Sequence, residues 1–217
     1  MAPLRVGVLI SGRGSNLQAL IEACRDPGTN AEIRLVVSNV ATASGLARAA
    51  AAGIPTAVVE HGRYPDRSGF DAEIDRRLRA AGVELVCLAG FMRILSDGFV
   101  ERWRDRMINI HPSLLPEFRG LNTHVRAIAA GAKIAGCTVH FVRPELDTGP
   151  ILLQARVPVM PDDTPERLAD RVLAAEHRAY PQALKLIATG RARVAGEQVL
   201  IDGAAAPEGL QLAPPPS

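Results

Sequence analysis

The apolar positions along the chain follow two alternating periods, which is the pattern of an α/β protein. Short apolar runs of strand length are separated by segments in which apolar residues recur at helical spacing. We predict strands at Arg5–Ile10, Ile33–Ser38, Thr56–Val59, Leu85–Ala89, Met107–Ile110, Thr138–Val142 and Ile151–Val157. The helices between them are predicted at Asn16–Cys24, Ala43–Ala52, Gly69–Ala81, Asp97–Arg104 and His124–Ala130. This alternation predicts a mostly parallel, twisted sheet flanked by helices.

The C-terminal part of the chain has a different pattern. Apolar residues at helical spacing predict a long helical region over Thr164–Thr189, which Pro181 should break or kink. Arg193–Ile201 is expected to form a small hairpin. The Ala- and Pro-rich tail over residues 203–217 shows no periodicity, and we expect it to be disordered. The prediction is therefore a single domain over residues 1–202.

Composition narrows the class of protein but not its chemistry. The chain has 217 residues, of which 47% are hydrophobic and 22% charged, so global disorder is excluded. A formal net charge of +2 gives no electrostatic argument for a nucleic-acid or membrane surface. Cys24, Cys87 and Cys137 have no spacing typical of a disulfide framework or a zinc motif. With no signal peptide and no apolar run of membrane-spanning length, we expect a cytoplasmic protein.

A glycine-rich loop, Ser11-Gly-Arg-Gly-Ser-Asn-Leu17, joins the first strand to the first helix. Converging backbone amides and the helix N-terminus could hold a phosphate there, although a capped strand–helix turn would have the same composition. Leu17 stands where a dinucleotide fingerprint has its third glycine, and Ser38-Asn39 offers no carboxylate for a ribose. The Walker lysine is also absent. A phosphate monoester therefore fits this loop better than NAD or ATP.

Asn109 and His111 are the most informative polar residues. They lie two apart on a predicted strand, so they share a face, at the carboxyl end where open α/β sheets bind ligands. An amide donor beside an imidazole suits a reaction that develops an oxyanion and moves a proton. A buried pair satisfied by the backbone is the alternative. Asp147, in the turn Glu145–Pro150, is either a turn former or a carboxylate that orients His111.

In order and spacing, these motifs resemble the phosphoribosylglycinamide formyltransferases, the folate-dependent glycinamide ribonucleotide (GAR) transformylases of purine synthesis. The resemblance spans about residues 4–202. It rests on Ser11-Gly-Arg-Gly-Ser-Asn-Leu-Gln-Ala19, Leu88-Ala-Gly-Phe-Met-Arg-Ile-Leu95, Asn109-Ile-His-Pro-Ser-Leu-Leu-Pro116 and Glu145-Leu-Asp-Thr-Gly-Pro150. The last two blocks are shared with other formyl-folate enzymes. The resemblance implies a Rossmann-like formyltransferase fold, with an N-terminal half that binds phosphate and a C-terminal half that binds folate.

The resemblance also implies a role for individual residues. The catalytic residues would be Asn109, His111 and Asp147. GAR would be bound by Gly14, Ser15, Asn16 and Glu176. The folate site would be lined by Arg67, Met92, Arg93, Ile94, Leu95, Asn109, Arg143, Pro144, Glu145, Leu146 and Asp147.

Some of these positions have a plainer interpretation. On its own, Glu176 would be a solvated helix residue, and Met92–Leu95 an ordinary strand-to-helix junction. His140 could reach the cleft or lie in the core, whereas His61 and His124 have no chemical context.

The chain also departs from the family pattern. Arg119 and Asn122 change the stiffness and polarity of the loop that begins at Glu117. Pro144 stands where an Asp is frequent, which affects the expected pterin contacts.

The implied reaction transfers a formyl group from N10-formyltetrahydrofolate, a co-substrate, to the amine of GAR. No metal is expected, and the expected partners are these small molecules, with no nucleic acid and no membrane, in a monomer or homodimer. Three alternatives stay open. A formyltetrahydrofolate deformylase would use the same three residues on water, but its family usually carries an N-terminal regulatory domain. A methionyl-tRNA formyltransferase would need a longer C-terminal domain and a basic face. A non-enzymatic module that binds a phosphoribosyl ligand would need only the glycine loop.

Overall fold

The computed structural model describes residues 2–206 and 208–212. Its chain forms two compact units, one ending at Asn109 and the other beginning at Ile110. The boundary falls inside a single strand, Met107–His111. Each unit is described below by itself.

The first unit is a parallel sheet with helices. Its strands are β1 (Leu4–Ile10), β2 (Ala31–Ser38), β3 (Thr56–Val58), β4 (Leu85–Leu88) and β5 (Met107–His111), whose last two residues belong to the second unit. Its helices are α1 (Ser15–Cys24), α2 (Gly45–Ala51), α3 (Arg67–Ala80) and α4 (Asp97–Arg102). The strands are parallel, in the order β3-β2-β1-β4-β5. The predicted strand–helix alternation is therefore confirmed.

This strand order creates a switch point between β1 and β4. The order runs outward from β1 to β3 on one side, and the chain then crosses to β4 and β5 on the other. The loops that follow β1 and β4 consequently leave the sheet in the place where open α/β sheets bind ligands. Buried apolar strand residues on both sides, including Val8 and Val86 at 0% exposure, keep this framework fixed.

The second unit is built on an antiparallel pair of strands. Its elements are α5 (Thr123–Ala129), β6 (Ile134–Phe141), β7 (Ile151–Pro158), α6 (Pro165–Ala188), β8 (Ala192–Ala195), β9 (Gln198–Ile201), β10 (Ala204–Ala205) and β11 (Leu210–Leu212). β6 and β7 pair antiparallel, with a register shift between Val139 and His140. β8 and β9 form the predicted C-terminal hairpin, which β10 extends to three strands.

The expected break at Pro181 does not occur. α6 runs from Pro165 to Ala188 with Pro181 inside it. A proline removes one backbone donor and crowds the preceding turn, at a cost of about 3 kcal/mol. On both sides of it, Tyr180 and Leu184 are fully buried. Burying large side chains of this kind stabilises by roughly 1.5–3 kcal/mol each, so packing holds the helix together through the proline.

The tail also differs from the expectation of disorder. Within residues 203–212, β10 pairs with β9 and β11 pairs parallel with β7, at Leu210 opposite Leu153. Gly209 has a left-handed φ of 69° and lies so close to the backbone of β7 that a Cβ there would be 2.8 Å from the Leu152 carbonyl carbon. Residue 207 and residues 213–217, which were included in the predicted tail, lie outside the described residues. Among the helices of the described part, none is long and apolar enough to cross a membrane.

Candidate active site

The glycine loop of the first unit owes its shape to glycine. Gly14 is the N-cap of α1 in the left-handed conformation, at φ 69°, and no side chain caps the helix. A Cβ on Gly14 would lie 2.7 Å from the Gly45 Cα, and the Gly45 amide donates to the Gly12 carbonyl over 3.0 Å. Only glycine allows this approach of α2. The first-turn amides of α1 therefore open onto the loop, as in helix-terminal anion sites.

Ser11 connects this loop to the loop that follows β4. Its amide donates to the Gly90 carbonyl over 3.1 Å. Its hydroxyl accepts a hydrogen bond of 2.7 Å from the Met92 amide and donates one of 2.5 Å to Asn39 Oδ1. Sequence reasoning missed this role of Ser11, because Met92 lies 81 positions away in the chain.

The loop from Gly90 to Ser96 presents apolar side chains to solvent. Met92 and Ile94 are 69% and 63% exposed, whereas Leu95 is buried at 7%. Arg93 and Arg67, the latter at the start of α3, are exposed. These predicted folate residues therefore belong to one unit and, except for Leu95, are available to a ligand.

His111, at the end of β5, has an oxygen acceptor opposite each ring nitrogen. Nε2 lies 3.0 Å from the Phe118 carbonyl oxygen, and Nδ1 lies 3.4 Å from Asp147 Oδ2. Because a carbonyl oxygen only accepts, the hydrogen of that bond belongs to Nε2. The Asp147 carboxylate faces the other ring nitrogen, so the two acceptors together fix the orientation of the imidazole.

Asp147 is held by the backbone as well as by histidines. It is 7% exposed and adopts a left-handed φ of 54°. Its Oδ2 accepts a hydrogen bond of 2.9 Å from the Gly120 amide, and its Oδ1 lies 3.7 Å from His140 Nε2. A buried carboxylate with these contacts can orient His111, as the sequence predicts for this turn.

His140 is buried, at 2% exposure, and its ring faces the Asp147 carboxylate. The register shift before it, at Val139, marks an irregularity in β6 of the kind that re-aims side chains near sites. Its Nδ1 donates to the Phe141 carbonyl over 3.0 Å. Burial lowers the pKa of His140 to about 4, and the nearby His111 also lowers it. The hydrogen bond to the Phe141 carbonyl and the charge of Asp147 act to raise this pKa. His140 is therefore a neutral imidazole beside Asp147.

A second set of hydrogen bonds shapes the loop between β5 and α5. The Ser113 hydroxyl donates to the Glu117 carbonyl over 2.6 Å, and the Thr138 hydroxyl donates to the Ser113 carbonyl over 2.7 Å. Gln154 Nε2 donates to the Leu115 carbonyl over 2.9 Å. These bonds fix the segment that presents the Phe118 carbonyl and the Gly120 amide. None of these groups was predicted from the sequence.

Other predicted residues of the second unit vary in exposure. Arg143 is buried, with its Nε 2.9 Å from Glu197 Oε2 in the β8–β9 turn. Pro144 is half-buried, whereas Glu145 and Leu146 are exposed. Glu176 on α6 is only 7% exposed, so the alternative of a solvated helix residue is wrong.

The remaining polar candidates have simpler surroundings. Asn109 is half-buried, at the β5 position that pairs with Leu88. His61 is exposed. His124 is half-buried, and its pKa is lowered by burial and by the neighbouring His111.

Comparisons with known proteins agree with this architecture. The family description "Formyl transferase" matches residues 4–184. The chain is 53% identical over 191 residues to the trifunctional purine biosynthetic protein adenosine-3 of Gallus gallus, covering 88% of this chain but 19% of that protein. It is 43% identical over 204 residues to the phosphoribosylglycinamide formyltransferase of Haemophilus influenzae, covering 94% of this chain and 96% of that one.

Solved structures give the same result. The phosphoribosylglycinamide formyltransferase structure from Coxiella burnetii superposes with a TM-score of 0.93 at 47% identity, covering 97% of this chain and 100% of that one. A Rossmann-like formyltransferase fold, predicted from the resemblance, is thereby confirmed. Because the family description and a bacterial relative both match along most of its length, the chain belongs to the formyl transferase family.

Proposed function

We propose that the protein transfers a formyl group from N10-formyltetrahydrofolate to the amine of GAR, giving formyl-GAR and tetrahydrofolate in purine biosynthesis. The observation that carries the proposal is the buried pair of His111 and Asp147, in which both imidazole nitrogens face oxygen acceptors. The glycine loop of α1 adds a site for a phosphate monoester. The named relatives add the substrate class.

GAR is proposed to bind through its phosphate at Gly14, Ser15 and Asn16, with Glu176 as a further contact. The partial positive charge at the start of α1 favours the phosphate. Anchoring one end of GAR restricts its glycinamide amine to a small volume. That restriction lowers the entropic part of the barrier.

The residues proposed to line the folate site include the exposed Met92 and Ile94. Covering an aromatic pterin would bury the apolar side chains of Met92 and Ile94, which are mostly exposed, and would stabilise the complex. The full proposed set is Arg67, Met92, Arg93, Ile94, Leu95, Asn109, Arg143, Pro144, Glu145, Leu146 and Asp147.

The chemical step is an acyl transfer. The amine nitrogen attacks the formyl carbon, the C–N bond forms, and the carbonyl electrons move to oxygen. Asn109 and His111 are proposed to donate hydrogen bonds to this oxyanion, and Asp147 is proposed to hold the imidazole in place. When the oxyanion collapses, the bond to N10 breaks and the amine proton is transferred to N10. Asp147 is proposed to relay this proton.

One assay tests the proposal. Purified protein is given N10-formyltetrahydrofolate with and without GAR, and tetrahydrofolate and formyl-GAR are quantified. Tetrahydrofolate that appears only with GAR, in equal amounts with formyl-GAR, is the expected result. Release without GAR would identify a hydrolase, and binding of either ligand without turnover would leave a binding module.

A further inference from the structure

Ser11 stands at the switch point of the first unit, where it touches both loops that leave β1 and β4. It is the first residue of the glycine loop. It forms hydrogen bonds with the backbone of two residues after β4, the carbonyl of Gly90 and the amide of Met92. Resemblance to the formyltransferases assigns it no role. Its position nonetheless connects the proposed phosphate loop to the proposed folate loop.

The Ser11 hydroxyl uses its one hydrogen and a lone pair in opposite directions. The hydrogen is directed to Asn39 Oδ1 over 2.5 Å, so the lone pairs are free to face the Met92 amide at 2.7 Å. Asn39 follows β2 directly and is 6% exposed. A buried amide next to a central strand thus sets the rotamer of the hydroxyl, and the hydroxyl sets the position of the Met92 amide.

The loop after β4 is fixed at its other points by different contacts. Phe91 stacks on Phe70 of α3, with ring centroids 6.4 Å apart and planes 2° apart. The Ser96 amide donates to Asp71 Oδ2 over 2.6 Å. Between these anchors, the Met92 amide donates to the Ser11 hydroxyl, which holds the backbone next to the exposed Met92 side chain. A loop ordered before binding loses less entropy on binding, which improves affinity without any new contact.

We infer that Ser11 is a positioning residue that presents the Met92–Ile94 segment to the folate co-substrate. This inference rests on the proposed function. GAR affinity should depend little on the hydroxyl, because the packing of Gly14 on Gly45 fixes the position of the α1 amides without any contribution from Ser11. Removing the hydroxyl should therefore weaken the binding of the folate co-substrate but not the binding of GAR.

The test compares ligand affinities of wild type, Ser11→Ala and Ser11→Thr by calorimetric titration. Tetrahydrofolate is the folate probe, since it binds without turnover, and GAR is the second ligand. Losing one hydrogen bond to the loop should weaken tetrahydrofolate binding roughly tenfold in Ser11→Ala and GAR binding less than about twofold. Ser11→Thr keeps the hydroxyl and should restore tetrahydrofolate affinity. Ser44→Ala, an exposed serine that makes no capping bond, is the matched control.

The outcomes separate the two proposals. If wild type binds no tetrahydrofolate, the proposed function fails. If wild type binds it, unchanged affinity in Ser11→Ala overturns the role of Ser11 alone. Equal weakening of both ligands, or a Ser11→Thr variant as weak as Ser11→Ala, also overturns that role, because it would indicate general damage to the switch point.

Discussion

Asp147 has a backbone conformation that is unfavourable by itself, and its contacts explain why it is kept. A left-handed φ of 54° destabilises most residues by about 1–2 kcal/mol, although Asp tolerates it better than others. In this conformation one carboxylate oxygen meets the Gly120 amide and His111, and the other faces His140. The left-handed backbone therefore coincides with a carboxylate that has contacts on both oxygens.

Removing the imidazole tests the central assignment. His111→Ala should lower kcat by at least roughly 10²–10³-fold, as the loss of one oxyanion donor does elsewhere. GAR affinity should stay within about twofold, because the α1 amides are untouched. Steady-state kinetics and a GAR titration measure the two effects. His61→Ala, at an exposed histidine in the short 3₁₀ helix His61–Arg63, is the control. Weakened GAR binding with full turnover would contradict the assignment.

His140 makes stability depend on pH. Its native pKa of about 4 lies below the ordinary 6.5 of a histidine, so between these values the unfolded chain binds a proton that the native state excludes. Stability is thus fully present above that range and is lost as pH falls through it. Between about pH 7 and 5 the free energy of unfolding should fall by about 2 kcal/mol.

Urea unfolding of wild type and His140→Gln across that pH range measures this effect. The variant should be less stable overall but should show a flatter dependence on pH. His124 has a lowered pKa as well, so some slope should remain. His124→Gln is the matched comparison and should keep most of the wild-type slope. Equal slopes in wild type and His140→Gln would refute the role of His140.

At the scale of elements, the residue patterns predicted the strands well. They did not predict the hydrogen bonds that hold the loops of the site in place. Asn109 and His111 were recognisable because alternation along a strand puts them on one face. The Phe118 carbonyl and the Gly120 amide were not, because every residue has these groups and only the folded loop aims them at a side chain. The break expected at Pro181 does not occur, because local propensity is weaker than the burial of its neighbours.

The C-terminal hairpin contacts Arg143, one of the proposed folate residues, through an ion pair. Arg143 is buried and pairs with Glu197, which is 60% exposed. Glu197→Gln should lower the free energy of unfolding by about 1 kcal/mol, since solvent weakens the pair while the buried guanidinium loses a charged acceptor. Urea unfolding at neutral pH measures it, with the exposed Glu208→Gln as control. A change no larger than that of the control would argue against this role of the hairpin.

At the scale of the whole molecule, we expect the fold to make the thiols slow to react. Cys87 and Cys137 are buried, and burial raises the pKa of Cys137 and brings that of half-buried Cys24 to about 11. Thiolate is the reactive form, so the native protein should react slowly with a thiol reagent near pH 8. All three cysteines should react quickly in urea. A rapid single equivalent from native protein, abolished by Cys24→Ser, would contradict this expectation.

The short strand β11 has a consequence for solubility. It occupies the side of β7 that β6 leaves open, and an uncovered strand edge of this kind is a template for pairing with other chains. Gly209→Val would place side-chain atoms against Leu152 and Leu153, so β11 could not dock. Light scattering on warming should then show earlier association than in wild type, while Gly190→Val, at an open position with a similar φ, serves as comparison. A few residues near the C-terminus would thus keep the molecules apart from one another.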